Sequence, residues 1–309
     1  MAMSTRRQPG RVAAFEAARR DLAALAYRML GDMGRAEDIV QEAWLRWEGH
    51  AGEAENPKAY LVTIVTRLCL NELQSARARR EELRADRLPE PVDLEERDLS
   101  GVERLEQISM AFLVVLQRLK PAERAVLILH DVLDFEHQQI AALIDRSAPT
   151  CRKLLERARA HLDGARHMFF PNPEEHHRLL QAFLGAVSEG NVTALVELLA
   201  EDAVMITDGG PGGREAGGLR NLPRPLMGAA RIAAFVLATA GRNSGALQLE
   251  RRELNGQPAI VFWQDERPFA ALLLAVKDGK IQRVFFHADP ARLRFLRRRV
   301  ETTTLSAPH

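Results

Sequence analysis

Cysteine is scarce. The 309 residues include two, Cys69 and Cys151, too few and too far apart for a disulfide framework or a cysteine-based zinc module. Both fall on apolar helix positions, as expected of free thiols in a reducing compartment. No apolar run approaches the length of a membrane span, and no apolar core follows the charges of the opening MAMSTRRQPGR. Neither a transmembrane helix nor a signal peptide is expected, and the location implied is cytoplasmic. Charge of one sign is not in excess either. With 43 Lys and Arg against 42 Asp and Glu, the formal net charge is +1, so any contact with nucleic acid must come from local patches. The glycine-rich DGGPGGR at 208–214 lacks the Lys-Ser/Thr that a phosphate loop places after its second glycine. Asp208, Arg224 and His287 are the candidate acid–base groups near the C-terminal end, but their spacing singles out no dyad. His161, His167, His176 and His177 straddle a segment boundary and lack a ligand spacing. No catalytic residue, cofactor or metal is therefore expected.

One local patch is clear. Residues 146–166 carry Arg146, Arg152, Lys153, Arg157, Arg159 and Arg166 against Glu156 and Asp163. The apolar residues there, Cys151, Leu154, Leu155, Ala158 and Leu162, recur at three- and four-residue spacing and make one stripe of a helix. Ser147 stands where a hydroxyl caps the first turn, and Pro149 falls where a missing N–H costs little. A short helix precedes it, with Ile140, Ala141, Leu143 and Ile144 inward and Asp145-Arg146 as the turn. A short helix, a tight turn and a basic capped helix make the reader of a DNA major groove.

Upstream, helices are expected over residues 11–31, 34–48 and 58–80, forming a first all-α unit. The second carries Ala36, Ile39, Val40, Ala43, Trp44 and Trp47 on one stripe and Glu37, Asp38, Gln41 and Glu42 on the other face. Residues 81–98 hold eight acidic side chains against three arginines, with Leu88-Pro89-Glu90-Pro91 at the centre. Two prolines forbid a continuous helix, and a solvated tether is the expected form. Helices over 103–119 and 122–132 then lead into the helix-turn-helix. From Glu174 the pattern changes to helices near 175–188, 191–200 and 228–240. Strands are expected near 203–207, 246–254, 257–264, 269–277 and 280–287, the last two joined by Asp278-Gly279. This is an α+β pattern, closed by a basic helix from Ala291 to Arg299.

AEDIVQEAW at 36–44 and the run from Pro121 to Leu162 resemble the second and fourth conserved regions of the extracytoplasmic-function sigma factors. With LPEP at 88–91, DGG at 208–210 and Asp289-Pro290, the chain resembles the SigJ-like type, which carries a C-terminal SnoaL-like domain of the NTF2-like fold. Here Asp289 stands in place of the usual Asn, and Pro211 follows DGG. The resemblance implies a multi-domain chain: two all-α sigma domains, at 11–80 and 103–170, an acidic linker at 81–102, and a cone-shaped α+β domain at 174–299. It implies a promoter-specificity subunit, not an enzyme, whose partners are promoter DNA and the β and β′ subunits of core RNA polymerase, with no separate anti-sigma factor. Glu37, Asp38, Gln41, Glu42 and Trp44 would meet the core. Asn56, Lys58, Tyr60, Arg67, Asn71 and Arg77 would meet the opened −10 element. Ser147, Thr150, Arg152, Lys153 and Arg157 would meet the −35 element. Leu88, Pro89, Glu90, Pro91, Asp208, Gly209, Gly210, Asp289 and Pro290 would make regulatory contacts between segments. The alternative is a duplex-DNA regulator whose NTF2-like domain binds or transforms a small molecule.

Overall fold

A computed structural model describes residues 9–50, 54–80, 87–97, 99, 108–162, 172–210, 215–216, 219–220, 222, 224–243 and 247–299. The chain divides into two compact units. The first joins Met1–Glu82, Glu95–Arg104 and Val115–Gly164, and the second joins Leu83–Leu94, Leu105–Val114 and Ala165–His309.

The first unit is helical. Its opening helices are α1 (Pro9–Leu30), α2 (Met33–Glu48) and α3 (Pro57–Arg80). Gly31, at φ 66°, ends α1, and its N–H reaches Tyr27 O at 2.7 Å. Asp32 then caps α2 by accepting from the Arg35 N–H at 3.0 Å. Phe15, Leu22, Leu25, Met29, Val40, Ala43, Leu61, Val65 and Leu68 are buried. The unit continues after the linker with the end of α4 (Met110–Arg118), then α5 (Pro121–Leu127). A π-helical turn, Ile128–Val132, follows α5, where an uninterrupted helix over 122–132 was expected. The helix-turn-helix is α6 (His137–Ile144) and α7 (Ala148–Leu162). In α7, Cys151, Leu155, Ala158 and Leu162 are buried, as the stripe requires.

The second unit is built on a six-stranded sheet. It contains β1 (Leu199–Asp208), β4 (Leu226–Met227), β5 (Gln248–Leu254), β6 (Gln257–Gln264), β7 (Arg267–Lys277) and β8 (Lys280–His287). Their order is β4-β1-β8-β7-β6-β5, with β1 and β8 parallel and every other pair antiparallel. A separate two-stranded ribbon pairs β2 (Glu215–Ala216) with β3 (Leu219–Arg220). Asn255-Gly256 and Asp278-Gly279 turn two hairpins, with all four residues at positive φ. Helices α8 (Pro173–Ser188), α9 (Val192–Leu198) and α10 (Ala229–Asn243) belong to this unit. Leu179, Phe183, Leu195 and Ile232 of these helices pack on Met205, Ile260, Leu272, Leu274 and Val284 of the sheet. Three helices packed against one sheet make an α+β unit.

Strand register puts Asp208, His287, Ala271, Val261 and Glu250 in one row of the opposite face, and Arg252, Ala259 and Leu273 in the next. The linker crosses this face. The Leu88 N–H donates to Asp208 Oδ2 at 3.0 Å near β8, and the Val92 N–H donates to Asn255 Oδ1 at 3.1 Å beyond β5. Asn255 answers with its own N–H to Val92 O at 2.8 Å. Residues 88–94 are all buried, so this part of the linker is a structural layer and not the solvated tether its charge suggested. Leu88, Val92 and Leu94 each gain about 1.5–3 kcal/mol by leaving water, which the acidic residues around them hide from a charge count.

The closing helix, α11 (Pro290–Leu293), is shorter than expected. The arginines beyond it fan out. Arg298 pairs with Glu266 at 2.8 Å and Arg299 with Asp93 at 2.8 Å, while Arg297 O accepts from Arg252. Separate acceptors draw the chain out of the helix that would stack these like charges. Helix α9 likewise stops at Leu198, because Leu199 pairs with Ile281 in the sheet.

Candidate nucleic-acid interface

The turn of the helix-turn-helix is fixed by Asp145, which adopts a left-handed φ of 54° and sends its N–H back to Ala141 O. Ser147 Oγ accepts from the Thr150 N–H at 3.3 Å and lies 2.8 Å from the Thr150 hydroxyl. Ser147 and Thr150 therefore serve first as the cap of α7. Arg152, Lys153 and Arg157 project from the exposed face of α7. Arg159, counted with that face in the sequence, does a different job. Its guanidinium holds Asp131 through two bonds of 2.6 and 3.1 Å, and His130 Nδ1 lies 2.8 Å from the same carboxylate. Burial pushes the Asp131 carboxyl up, but the bonds from Arg159 and His130 outweigh it and hold it below its ordinary value. The π-helical turn that carries Asp131 thus ties down α7 just beyond Arg157.

The downstream candidates lie on and before α3. Asn56 Oδ1 caps that helix by accepting from the Ala59 N–H at 3.0 Å. Lys58 pairs with Asp21 of α1 at 2.6 Å. The Tyr60 hydroxyl lies 3.1 Å from His50 Nδ1, and its ring packs on His50 and Trp47 at 4.7 and 5.6 Å. Arg67 reaches carbonyls of α6, Asn71 is exposed, and the side chain of Arg77 lies outside the described residues, as does the loop tip at 51–53. Arg11 was missed. It donates to Trp47 O at 3.3 Å, stands 5.4 Å over the Trp47 ring, and receives the Trp47 indole N–H on its own carbonyl at 3.1 Å. Together Arg11, Trp47, His50 and Tyr60 brace both ends of the loop.

On α2, Asp38 and Gln41 are exposed. Glu37 pairs with Arg97 at 2.6 Å and Glu42 with Arg46 at 2.9 Å. Trp44 turns toward Phe15, with ring centroids 4.9 Å apart, and the apolar residue on the open face is Leu45, 56% exposed. Leu45 lies one turn from Gln41 and two from Asp38, a spacing that could have found it.

Residues 14–79 match the family model for sigma-70 region 2, and residues 109–162 match that for sigma-70 region 4. Over 289 residues the chain is 32% identical to the probable ECF RNA polymerase sigma factor SigI of Mycobacterium tuberculosis, covering 92% of this chain and 95% of that protein. It is 31% identical to SigJ of the same organism over 293 residues, covering 90% and 92%. The crystal structure of SigJ superposes with a TM-score of 0.72 at 28% identity, covering 92% of this chain and 98% of that one. The chain belongs to the ECF RNA polymerase sigma factors. Its role is in transcription initiation.

In this sigma factor the three hallmark segments of the second unit meet. Asp208 receives the Leu88 N–H on Oδ2 and the Gly210 N–H on Oδ1, each at 3.0 Å, and its carbonyl accepts from Ala288 N at 2.7 Å. Asp289 caps α11 by accepting from the Ala291 N–H at 2.9 Å and lies 3.6 Å from the Arg87 guanidinium. Pro290 opens α11 at the exposed end of this cluster, and Gly209 is half-buried. Gly210 sits at φ +77°, and a Cβ there would meet the Asp289 carboxyl group at 2.8 Å. Gly210→Ala should cost about 1–3 kcal/mol from the left-handed backbone and the displaced carboxylate. A lowered unfolding midpoint for the second unit checks this, and an unchanged one would place Asp289 elsewhere.

Asp208 and His287, weighed above as acid–base candidates, lie in one row of the face that the linker crosses, and the core between helices and sheet is apolar. His287 is 1% exposed, and its ring nitrogens have no hydrogen-bond partner among the described residues. Burial pushes it down to about 3, with Arg292 adding to the effect. Arg224 is exposed. Among the described residues no group of three His, Cys, Asp or Glu could hold a metal, and no helix is long and apolar enough to cross a membrane.

Proposed function

We propose that this sigma factor works in the cytoplasm, directs core RNA polymerase to promoters through its two helical regions, and is regulated in cis by its C-terminal unit. Residues 11–80 would bind the core and the −10 element, and 103–170 would read the −35 element. Residues 81–102 would link them, and 174–299 would regulate. Asp38, Gln41 and the exposed Leu45 offer a mixed acidic and apolar face to the β and β′ subunits, with Glu37 and Glu42 beside them and Trp44 supporting the helix from behind. Arg152, Lys153 and Arg157 carry the charge that the major groove and its phosphates require. Asn56, Lys58, Tyr60, Arg67, Asn71 and Arg77 would meet the single strand of the −10 element, with Tyr60 as the aromatic residue for stacking.

The contact of Leu88 with Asp208 carries the regulatory reading. It joins LPEP to DGG by a bond that is buried on both sides. The linker joining the two DNA-reading regions is thereby a ligand of the third domain. The same contact supports a non-catalytic third domain, since Asp208 is spent on two backbone N–H groups. A regulator fused in cis needs no separate anti-sigma factor.

Run-off transcription from genomic fragments with purified core polymerase tests both levels. Added full-length protein should give discrete start sites that core polymerase alone does not. Asp208→Ala and deletion of 171–309 should each change the yield severalfold. Identical transcripts with and without the protein would end the sigma reading. Equal yields from all three forms would end regulation in cis.

A further inference from the structure

Two arginines in the first unit perform the same act in opposite directions. Arg124 of α5, which is buried, donates to Met29 O in the last turn of α1. Arg67 of α3 donates from Nε to Leu143 O at 3.0 Å and from Nη2 to Ala142 O at 3.2 Å. Those two oxygens belong to the last turn of α6, where carbonyls lack intrahelical donors and the helix dipole favours a cation. The turn itself does not reach them, because the N–H groups of Asp145 and Arg146 both go to Ala141 O. Arg67 therefore completes the end of the first helix of the helix-turn-helix.

We infer that Arg67 is an exchangeable latch: it caps α6 in the free protein and gives up that cap for a phosphate of the downstream promoter strand. The inference rests on the assignment of Arg67 to the −10 element. The exchange has a direction. Two neutral carbonyls offer partial charges, whereas a phosphate offers a full negative charge in a geometry that matches the guanidinium fork. Arg67 is exposed, so a strand can reach it, while Arg124 is enclosed and stays as the fixed tether. Loss of the Arg67 cap uncovers the Ala142 and Leu143 carbonyls beside the turn that sets the angle of α7. Capture of the −10 strand is then felt by the reader of the −35 element, without any ligand at that element.

Spin labels at Gln74→Cys on α3 and Gln138→Cys on α6 report the latch in the full chain. Both sites are exposed, and the native Cys69 and Cys151 are buried. The unlatched distances should become about tenfold more populated in Arg67→Lys, whose single ammonium cannot span two carbonyls, and equally so in Arg67→Ala. Arg67→Lys keeps the charge for a phosphate and should form open complexes with core polymerase and a run-off promoter at least as well as the parent. Arg67→Ala should lose about tenfold in opening. A distance distribution unchanged in both variants overturns the latch, whatever transcription does. Shifted distances with undiminished opening by Arg67→Ala would keep the latch and remove Arg67 from the −10 contact.

Discussion

Arg252→Met should lower the stability of the second unit by about 3 kcal/mol, and Asp93→Asn together with Arg252→Met should recover most of that loss. The Arg252 side chain is 0% exposed and the Asp93 side chain 3%, with Nε 2.7 Å from Oδ2. Glu250 stands 3.8 Å away on the same strand, and Arg252 Nη1 also donates to Arg297 O at 2.5 Å. Removing the guanidinium takes the shared cation from two buried carboxylates and the Arg252 donor from a carbonyl. Breaking a buried pair costs about 3–5 kcal/mol. The lower end applies because Arg299, with a half-exposed side chain, still reaches Asp93 at 2.8 Å. The loss should appear as a fall of about 6–12 °C in the transition of the second unit, together with faster proteolysis within residues 87–97. A shift below about 1 kcal/mol would mean that the ion pair contributes specificity and little stability.

That ion pair also marks the limit of what sequence alone could reveal. The helices were legible because each buries a stripe whose three- and four-residue spacing survives in the sequence. Residues 257–264 and 280–287 were legible as strands because their apolar runs end at turn residues. The docking of the linker was expected only from the resemblance, which set residues 88–91 against Asp208 and Asp289, while the charge of the stretch pointed to a solvated tether. Leu88 and Val92 look like isolated apolar residues in an acidic stretch, and the side chains that receive their N–H groups, Asp208 and Asn255, lie 120 and 163 residues further along the chain. Asn255 stands beside Gly256 between two strands, and nothing local says that its side chain serves a distant strip of backbone. On α2 the difficulty was one of angle. Trp44 and Leu45 are neighbours in sequence, about 100° apart around the helix, and the resemblance gave Trp44 to the core although its spacing puts it on the apolar stripe. Phe15, one helix earlier, claims that ring instead. The −10 candidates show a third kind of limit. Residue type named the polar side chains of α3, but the partners that hold Lys58, Tyr60 and Arg67 come from α1, the α2–α3 loop and α6.

Acid should weaken the second unit well before its carboxylates are protonated. Among its described residues two histidines are buried, His176 on α8 and His287 on β8. Burial pushes His176 down to about 4, with His177 adding to the effect and the Leu274 carbonyl opposing it. Burial pushes His287 down to about 3, with Arg292 adding to the effect. Both rings are neutral in the folded unit and take up a proton near pH 6.5 once unfolded. The unfolded state therefore binds more protons across the window below that value, and stability falls as pH falls. The full stability is present above about pH 7 and declines until the folded pKa values are reached near pH 4 and 3. Between pH 7.5 and 5.0 each histidine should remove about 2 kcal/mol, or about 4 kcal/mol together. Urea unfolding of the full chain at the two pH values measures this drop. His287→Leu should halve it, and His176→Leu with His287→Leu should nearly abolish it. A drop of undiminished size in the double variant would assign the acid sensitivity to other groups. Because His287 shares a row of the sheet with Asp208, the acceptor of the Leu88 N–H, protonation on opening acts against the same face that holds the linker. Acid and the Arg252→Met variant should therefore expose the same stretch of chain, residues 87–94, to protease.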